Sequence, residues 1–173
     1  MKNLSVEIRV SERLTGEERH TLFEWGENIW GAEDLQYRWR PKDLHLLLEE
    51  DGRLVSHVGL LRHAVSAGRR SVDVAGVGGV VTVPEAQGRG YAQRGMRHAA
   101  EFFCREWGVE FGLLFCRDAL VPFYERLGWQ TVEEPVVIEQ PDGEVESAMN
   151  VLVLPCDGRA WPAGKVRLES FPW

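Results

Sequence analysis

Val77-Gly-Gly-Val-Val-Thr-Val-Pro-Glu-Ala-Gln-Gly-Arg-Gly-Tyr-Ala92 is the stretch that decides the fold. The apolar run up to Val83 reads as the end of a strand, and Pro84 stops it. A turn rich in Gly and Arg follows and opens a helix. Glycines at 88 and 90 let backbone N–H groups converge without interference from Cβ atoms. The helix start adds unpaired donors and about half a positive elementary charge. Together they form a seat for phosphate oxygens, with Arg89 and Arg94 adding charge around it. The pattern GxxxxGK[ST] is absent. GxGxxG is absent too, because Gly88-Arg-Gly90 continues Tyr-Ala-Gln. The turn also follows a meander rather than the first strand of a βαβ unit. Nucleotide hydrolysis and dinucleotide binding are therefore poor fits.

On the N-terminal side of this stretch, Ser5–Val10 alternates apolar and polar residues and reads as a first strand. Glu17–Ile29 has near-helical spacing of Leu22, Phe23, Trp25 and Ile29, with a stop at Gly31. The segment Ala32–Asp43 is irregular, of the kind that sits over binding sites. Leu44–Glu50 and Leu54–Ala67 flank Asp51-Gly52, a hairpin signal, and Ser71–Val83 is the third strand of the meander. Its glycines at 76, 78 and 79 suggest a bulge or a close ligand.

On the C-terminal side, Gly88–Trp107 reads as an amphipathic helix with Met96, Ala99, Ala100 and Phe103 on one face, capped by Gly108. Phe111–Cys116 is a short buried strand, and Ala119–Leu127 a short helix ending at Gly128. Val136–Glu139 and Ala148–Leu154 are strands around the turn Pro141-Asp142-Gly143. The order predicts an α/β fold with a mixed, mostly antiparallel central sheet flanked by helices.

The 173 residues carry 20 Lys+Arg against 27 Asp+Glu, a formal charge of −7, with 44% hydrophobic and 27% charged residues. That excludes disordered and collagen-like chains and fits a single domain over 1–173, with an irregular tail at 155–173. Cys104, Cys116 and Cys156 form no CxxC pair and no zinc-finger spacing, so reduced thiols in a cytoplasmic protein are expected. The first ten residues lack the apolar core of a signal peptide, and no run of about 18 apolar residues marks a membrane span. The acidic balance argues against nucleic acid and fits a cationic substrate.

Gln87-Gly-Arg-Gly90-Tyr-Ala92 fits the Q/R-x-x-G-x-G/A turn of the acyl-CoA-dependent N-acyltransferases of the GNAT superfamily. The chain resembles that family from about Val6 to Leu154. Phe123-Tyr-Glu-Arg-Leu-Gly-Trp129 is similar to its Y-x-x-x-G-F helix end. Within the superfamily the closest look is to aminoglycoside 2′-N-acetyltransferases, through Val153-Leu-Pro155 and the tail from Trp161 to Trp173. His57-Val-Gly-Leu-Leu-Arg62 is similar to the nodulation N-acyltransferases. Two positions depart from the pattern. Gly78 stands where the aminoglycoside enzymes carry an acidic residue, and Arg117 where many members have an Asn.

The resemblance implies direct acetyl transfer from acetyl-CoA to a small-molecule amine, such as an amino sugar or aminoglycoside, without a metal. It places pantetheine along Val81, Thr82 and Val83, with a backbone N–H near Val81 facing the thioester oxygen. The pyrophosphate then sits on Gln87, Gly88, Arg89, Gly90, Tyr91 and Ala92, with Arg94 nearby. Tyr124 matches the tyrosine that faces the CoA sulfur, and the Trp173 α-carboxylate is the candidate base. Glu33 and Asp34 are candidates to bind the amine. His57 and His63 share one face of their strand without metal-pair spacing. Pairing of late strands between two copies would give a homodimer. A catalytically silent acyl-CoA sensor is the alternative reading.

Overall fold

Asp51 and Gly52 both adopt positive φ, +48° and +77°. This is the twist that a two-residue hairpin requires. They join β2 (Leu44–Glu50) to β3 (Arg53–Ala67), and Gly68-Arg69 turns β3 into β4 (Arg70–Thr82). The computed structural model describes residues 5–173; Met1–Leu4, where the expected domain begins, lie outside the described residues. β1 (Val6–Ser11) pairs antiparallel with β2. β5 (Phe111–Cys116) runs parallel to β4, and β9 (Asn150–Pro155) runs antiparallel to β5. With β6 (Gln130–Thr131), β7 (Val136–Gln140), β8 (Gly143–Glu146) and β10 (Val166–Arg167) the strands form one mixed sheet. Its order is β6-β9-β5-β4-β3-β10-β7-β8, and β2 branches from β3 to carry β1.

One face of the sheet is covered by α2 (Tyr91–Arg105), whose Met96, Ala99 and Phe103 pack on Leu46, Val58, Leu60, Val77 and Leu114. Phe103 is fully buried, a contribution of about 2–3 kcal/mol. The opposite face holds α1 (Gly16–Phe23) and the C-terminal tail, whose Trp173 joins Leu61, Val74, Phe111 and Leu113.

Several expectations need correction. α1 was expected to reach Ile29 and ends at Phe23. The Trp25 indole N–H donates to the Leu22 carbonyl at 2.7 Å, taking the acceptor that the next turn would use. The short helix after β5 is a 3-10 turn, Asp118–Leu120, followed by α3 (Val121–Glu125). The hairpin at Pro141-Asp142-Gly143 joins β7 to β8, not to β9. β8 is exposed along its whole length, so it lacks the alternation that marks a half-buried strand. Its Glu144 and Glu146 also put like charges along this edge of the sheet.

The tail is more ordered than expected, because β10 pairs with both β3 and β7. Cys104 and Cys156 are joined in a disulfide, with Cα atoms 5.3 Å apart. The end of α2 and the end of β9 lie side by side, a proximity that a separation of 52 residues hides. The expectation of three reduced thiols fails there. Cys116 is free and buried, and burial pushes its thiol up to about 11. Among the described residues no helix is long and apolar enough to cross a membrane.

Candidate active site

β4 and β5 are laddered only from Val74–Val77 against Phe111–Leu114. Beyond that point β4 continues through Thr82 on β3, and β5 continues to Cys116 on β9. The two central strands therefore part, and each leaves one edge of backbone donors and acceptors open to the gap.

A bulge sits at the parting. His57 to Gly59 on β3 is two steps, while their partners Val81 and Gly78 on β4 are three steps apart. The extra residue falls at Gly79, with φ +61°. His57 Nδ1 lies 2.6 Å from the Gly79 carbonyl, and His57 Nε2 lies 2.8 Å from His45 Nδ1. A carbonyl only accepts, so the proton is on His57 Nδ1, and His45 Nδ1 must donate to His57 Nε2. Burial holds His57 down to about 4, and burial also lowers His45.

The backbone alternation past the bulge moves one expected donor. The Val83 N–H donates to the Val55 carbonyl at 3.0 Å. By the two-residue period, Val81 also points toward β3, while the N–H groups of Val80 and Thr82 face the gap. The donor expected near Val81 is therefore shifted by one residue on either side.

The open edge leads into the loop before α2. Gly88 and Gly90 have φ of +74° and +82°, and a Cβ on either would meet nothing within 4 Å. Gly90 is the N-cap of α2 and offers no side-chain cap, so the first N–H groups of the helix face outward. The Gln87 amide fastens the loop by donating to the Thr82 carbonyl at 3.0 Å. Arg89 and the Tyr91 hydroxyl both turn to Glu50, and Arg89 stacks over the Tyr91 ring. Arg94 donates to the Val6 carbonyl at 3.2 Å. Ala92 lies in the first turn of α2. The phosphate seat is thus mainly backbone, with the side chains of Gln87, Arg89, Tyr91 and Arg94 all held by protein partners.

Tyr124 is buried in the cluster that holds Val77, Leu114 and Cys116, the residues at the mouth of the gap. Burial pushes its phenol well above the ordinary range. Arg117, just past β5, donates to the Gly31 carbonyl at 2.9 Å and pairs with Asp34. The Glu33 carboxylate accepts from the Asn28 N–H at 3.0 Å. Both carboxylates expected to bind the amine are therefore engaged in closing the 28–34 loop.

Trp173 is fixed. Its indole N–H donates to the Leu113 carbonyl at 3.0 Å, and its ring stacks edge-on against His63 and Phe115. The tail beside it is held by the Arg40 N–H on the Pro172 carbonyl at 2.7 Å. His63 is clamped between the Arg40 guanidinium and the Leu168 carbonyl. The main-chain carbon and oxygen of Trp173 lie 2.9 and 3.1 Å from where a Cβ on Gly78 would stand.

Sequence reasoning missed Lys42, whose Cε lies 2.6 Å from that same point. Burial pushes its ammonium down to about 8, with Arg40 adding to the effect. Only its place among three lysines in a chain with 20 cationic side chains set it apart in the sequence. Among the described residues no group of three or more His, Cys, Asp or Glu is placed to hold a metal.

The sequence matches the family described as an acetyltransferase (GNAT) domain over residues 14–132. No curated protein matches it. A GNAT family N-acetyltransferase of Escherichia coli, solved with CoA, is similar over 98% of this chain and 92% of its own, at 14% identity and a TM-score of 0.61. An acyl-CoA N-acyltransferase of Pseudomonas aeruginosa is similar over 87% of this chain and 99% of its own, at 20% identity and a TM-score of 0.57. A GNAT family acetyltransferase of Brucella melitensis in complex with acetyl-CoA covers 92% and 94%, at 16% identity and a TM-score of 0.54. The parted strands share the fold of these enzymes, and the chain belongs to the GNAT acetyltransferase family.

Proposed function

We propose that this N-acetyltransferase moves an acetyl group from acetyl-CoA to a primary amine of a small molecule, with amino sugars and aminoglycosides the first class to test. The observation that carries the reading is the open β4 edge running from the bulge at Gly79 into the uncapped, glycine-lined start of α2. An extended amide chain such as pantetheine fits an unpaired strand edge, as an added strand would. A pyrophosphate fits the converging N–H groups of 88–92.

The residues divide the work by position. The Val80 N–H, on the gap side of the bulge, donates to the thioester oxygen as charge develops there. The amine attacks the carbonyl carbon; a C–N bond forms and the C–S bond breaks. Tyr124 stabilises the departing thiolate by hydrogen bonding. Its raised pKa keeps the hydroxyl protonated but makes full proton donation costly. The main-chain oxygen of Trp173 accepts a hydrogen bond from the amine beside Gly78. Arg117 with Asp34, and Glu33 with Asn28, keep the acceptor-side loop closed.

Mass detection of product tests the reading. The protein and acetyl-CoA are incubated with aminoglycosides, amino sugars, polyamines and short peptides. One added acetyl group on an aminoglycoside or amino sugar is the expected result. Product only on peptides would reassign the acceptor class. CoA binding with no product on any amine would favour a sensor.

A further inference from the structure

Gly59 on β3 and Gly78 on β4 are cross-strand partners. A Cβ on Gly59 would lie 2.5 Å from Lys42 Cγ, and one on Gly78 would lie 2.6 Å from Lys42 Cε. Two glycines facing each other in a sheet interior weaken it, since neither packs a side chain. Here they form a bed on which the Lys42 stem lies flat, carrying Nζ to the first β4 residue beyond the ladder with β5. We propose that Lys42 is a catalytic residue of this enzyme, the general base that takes a proton from the acceptor ammonium at the parting of β4 and β5. The inference rests on the acetyl-transfer reading given above.

The surroundings favour a base over a fixed cation. Nζ makes one long hydrogen bond, 3.3 Å to the Arg40 carbonyl. The Arg40 guanidinium repels its charge and Asp43 favours it, both on its own loop. His45 on β2 and His57 on β3 lie within electrostatic reach, both held toward the neutral form. The main chain of Trp173 closes the tail side, and the α-carboxylate expected there would pull toward the charged form as Asp43 does. Desolvation is the largest effect on Lys42 and lowers its pKa to about 8, so a substantial neutral fraction exists near that pH.

The proton balance closes. The acceptor ammonium gives one proton to Lys42 Nζ, and the neutral amine attacks. As the C–S bond breaks, the second amine proton goes to the CoA thiolate. Lys42 then releases its proton to water. The net reaction converts ammonium and thioester to amide, thiol and one proton.

The test compares wild type, Lys42→Met and Lys42→Arg on an acceptor found in the mass assay, between pH 6 and 10. Wild-type kcat/KM should rise with an apparent pKa near 8. Lys42→Met should lose about 10²-fold or more in kcat, with unchanged CoA affinity and circular dichroism. Lys42→Arg keeps the charge but holds its proton, so it should not recover the loss. Recovery by Lys42→Arg, or near-wild-type turnover by Lys42→Met, would overturn the proposal and leave acetyl transfer standing. Absence of wild-type product despite CoA binding would overturn the acetyl-transfer reading, and this proposal with it. Labelling with acetic anhydride as a function of pH, read on the Lys42 peptide, gives a second measure without an acceptor. A midpoint near 8 supports the base, and a midpoint in the usual lysine range above 10 overturns it.

Discussion

The ring of His57 holds the carbonyl of Gly79 at 2.6 Å, and that single hydrogen bond fixes the bulge from which the open edge of β4 starts. The contact has a defined proton arrangement. His45 donates to His57, and His57 donates to Gly79. Protonating His57 would put a second donor against the His45 N–H, which the buried pair cannot accommodate without moving.

Removing this support should be costly. His57→Ala leaves the Gly79 carbonyl and the His45 ring without partners and opens a cavity beside Phe23. A loss of about 2–4 kcal/mol is expected in urea unfolding, with a larger fall in turnover than in CoA affinity. An unchanged midpoint would show that the ring does not support the bulge.

The same pair makes stability depend on acid. The folded pKa of His57 is depressed to about 4, below its ordinary 6.5, and His45 is shifted in the same direction. Below about pH 6.5 the unfolded chain binds protons that the folded one refuses. Stability is therefore full above pH 6.5, falls as pH drops, and the His57 share of the loss is complete below about pH 4, at up to about 3 kcal/mol. In His57→Gln that share of the slope should vanish between pH 6.5 and 4.

Gly90→Val tests the phosphate seat. The position has space for a side chain but not the backbone freedom, since φ is +82°. A β-branched residue there should twist the N–H groups at the start of α2. CoA affinity by calorimetry should fall about tenfold or more, while the unfolding free energy measured in urea falls by about 1–2 kcal/mol.

Tyr124→Phe separates catalysis from binding. The hydroxyl is expected to act on the leaving sulfur and not on the pyrophosphate. A fall of about 10–100-fold in kcat with CoA affinity unchanged is the expected outcome. Equal losses in both would mean that the ring shapes the CoA seat instead.

Gly76→Ala should unseat the tail. A Cβ at Gly76 would lie 2.6 Å from Trp173 Nε1, the atom bonded to the Leu113 carbonyl. The indole cannot yield without breaking that bond, so about 1–3 kcal/mol should be lost by overpacking. Faster proteolysis of residues 155–173 would accompany it.

What was legible in the sequence was local. Asp51-Gly52 marks its own turn, Gly88 and Gly90 their own loop, and Met96, Ala99 and Phe103 their own helix face. Tyr124 became legible only through family resemblance. The rest depends on contacts far along the chain. The end of α1 is set by the Trp25 indole, and the disulfide by the meeting of α2 with β9. Lys42 was hidden inside an irregular loop, because its meaning comes from Gly59 and Gly78 on two other segments. Glu33 and Asp34 looked available for a substrate because Asn28 and Arg117 could not be seen to claim them.

Backbone hydrogen exchange with and without CoA tests most directly that CoA lies on the open edge of β4 and the start of α2. The account predicts slowed exchange in peptides spanning residues 78–83 and 87–92. It predicts no change in β8, at the far end of the sheet from β4. Protection at β8 with none at 78–83, or no protection anywhere, would contradict it.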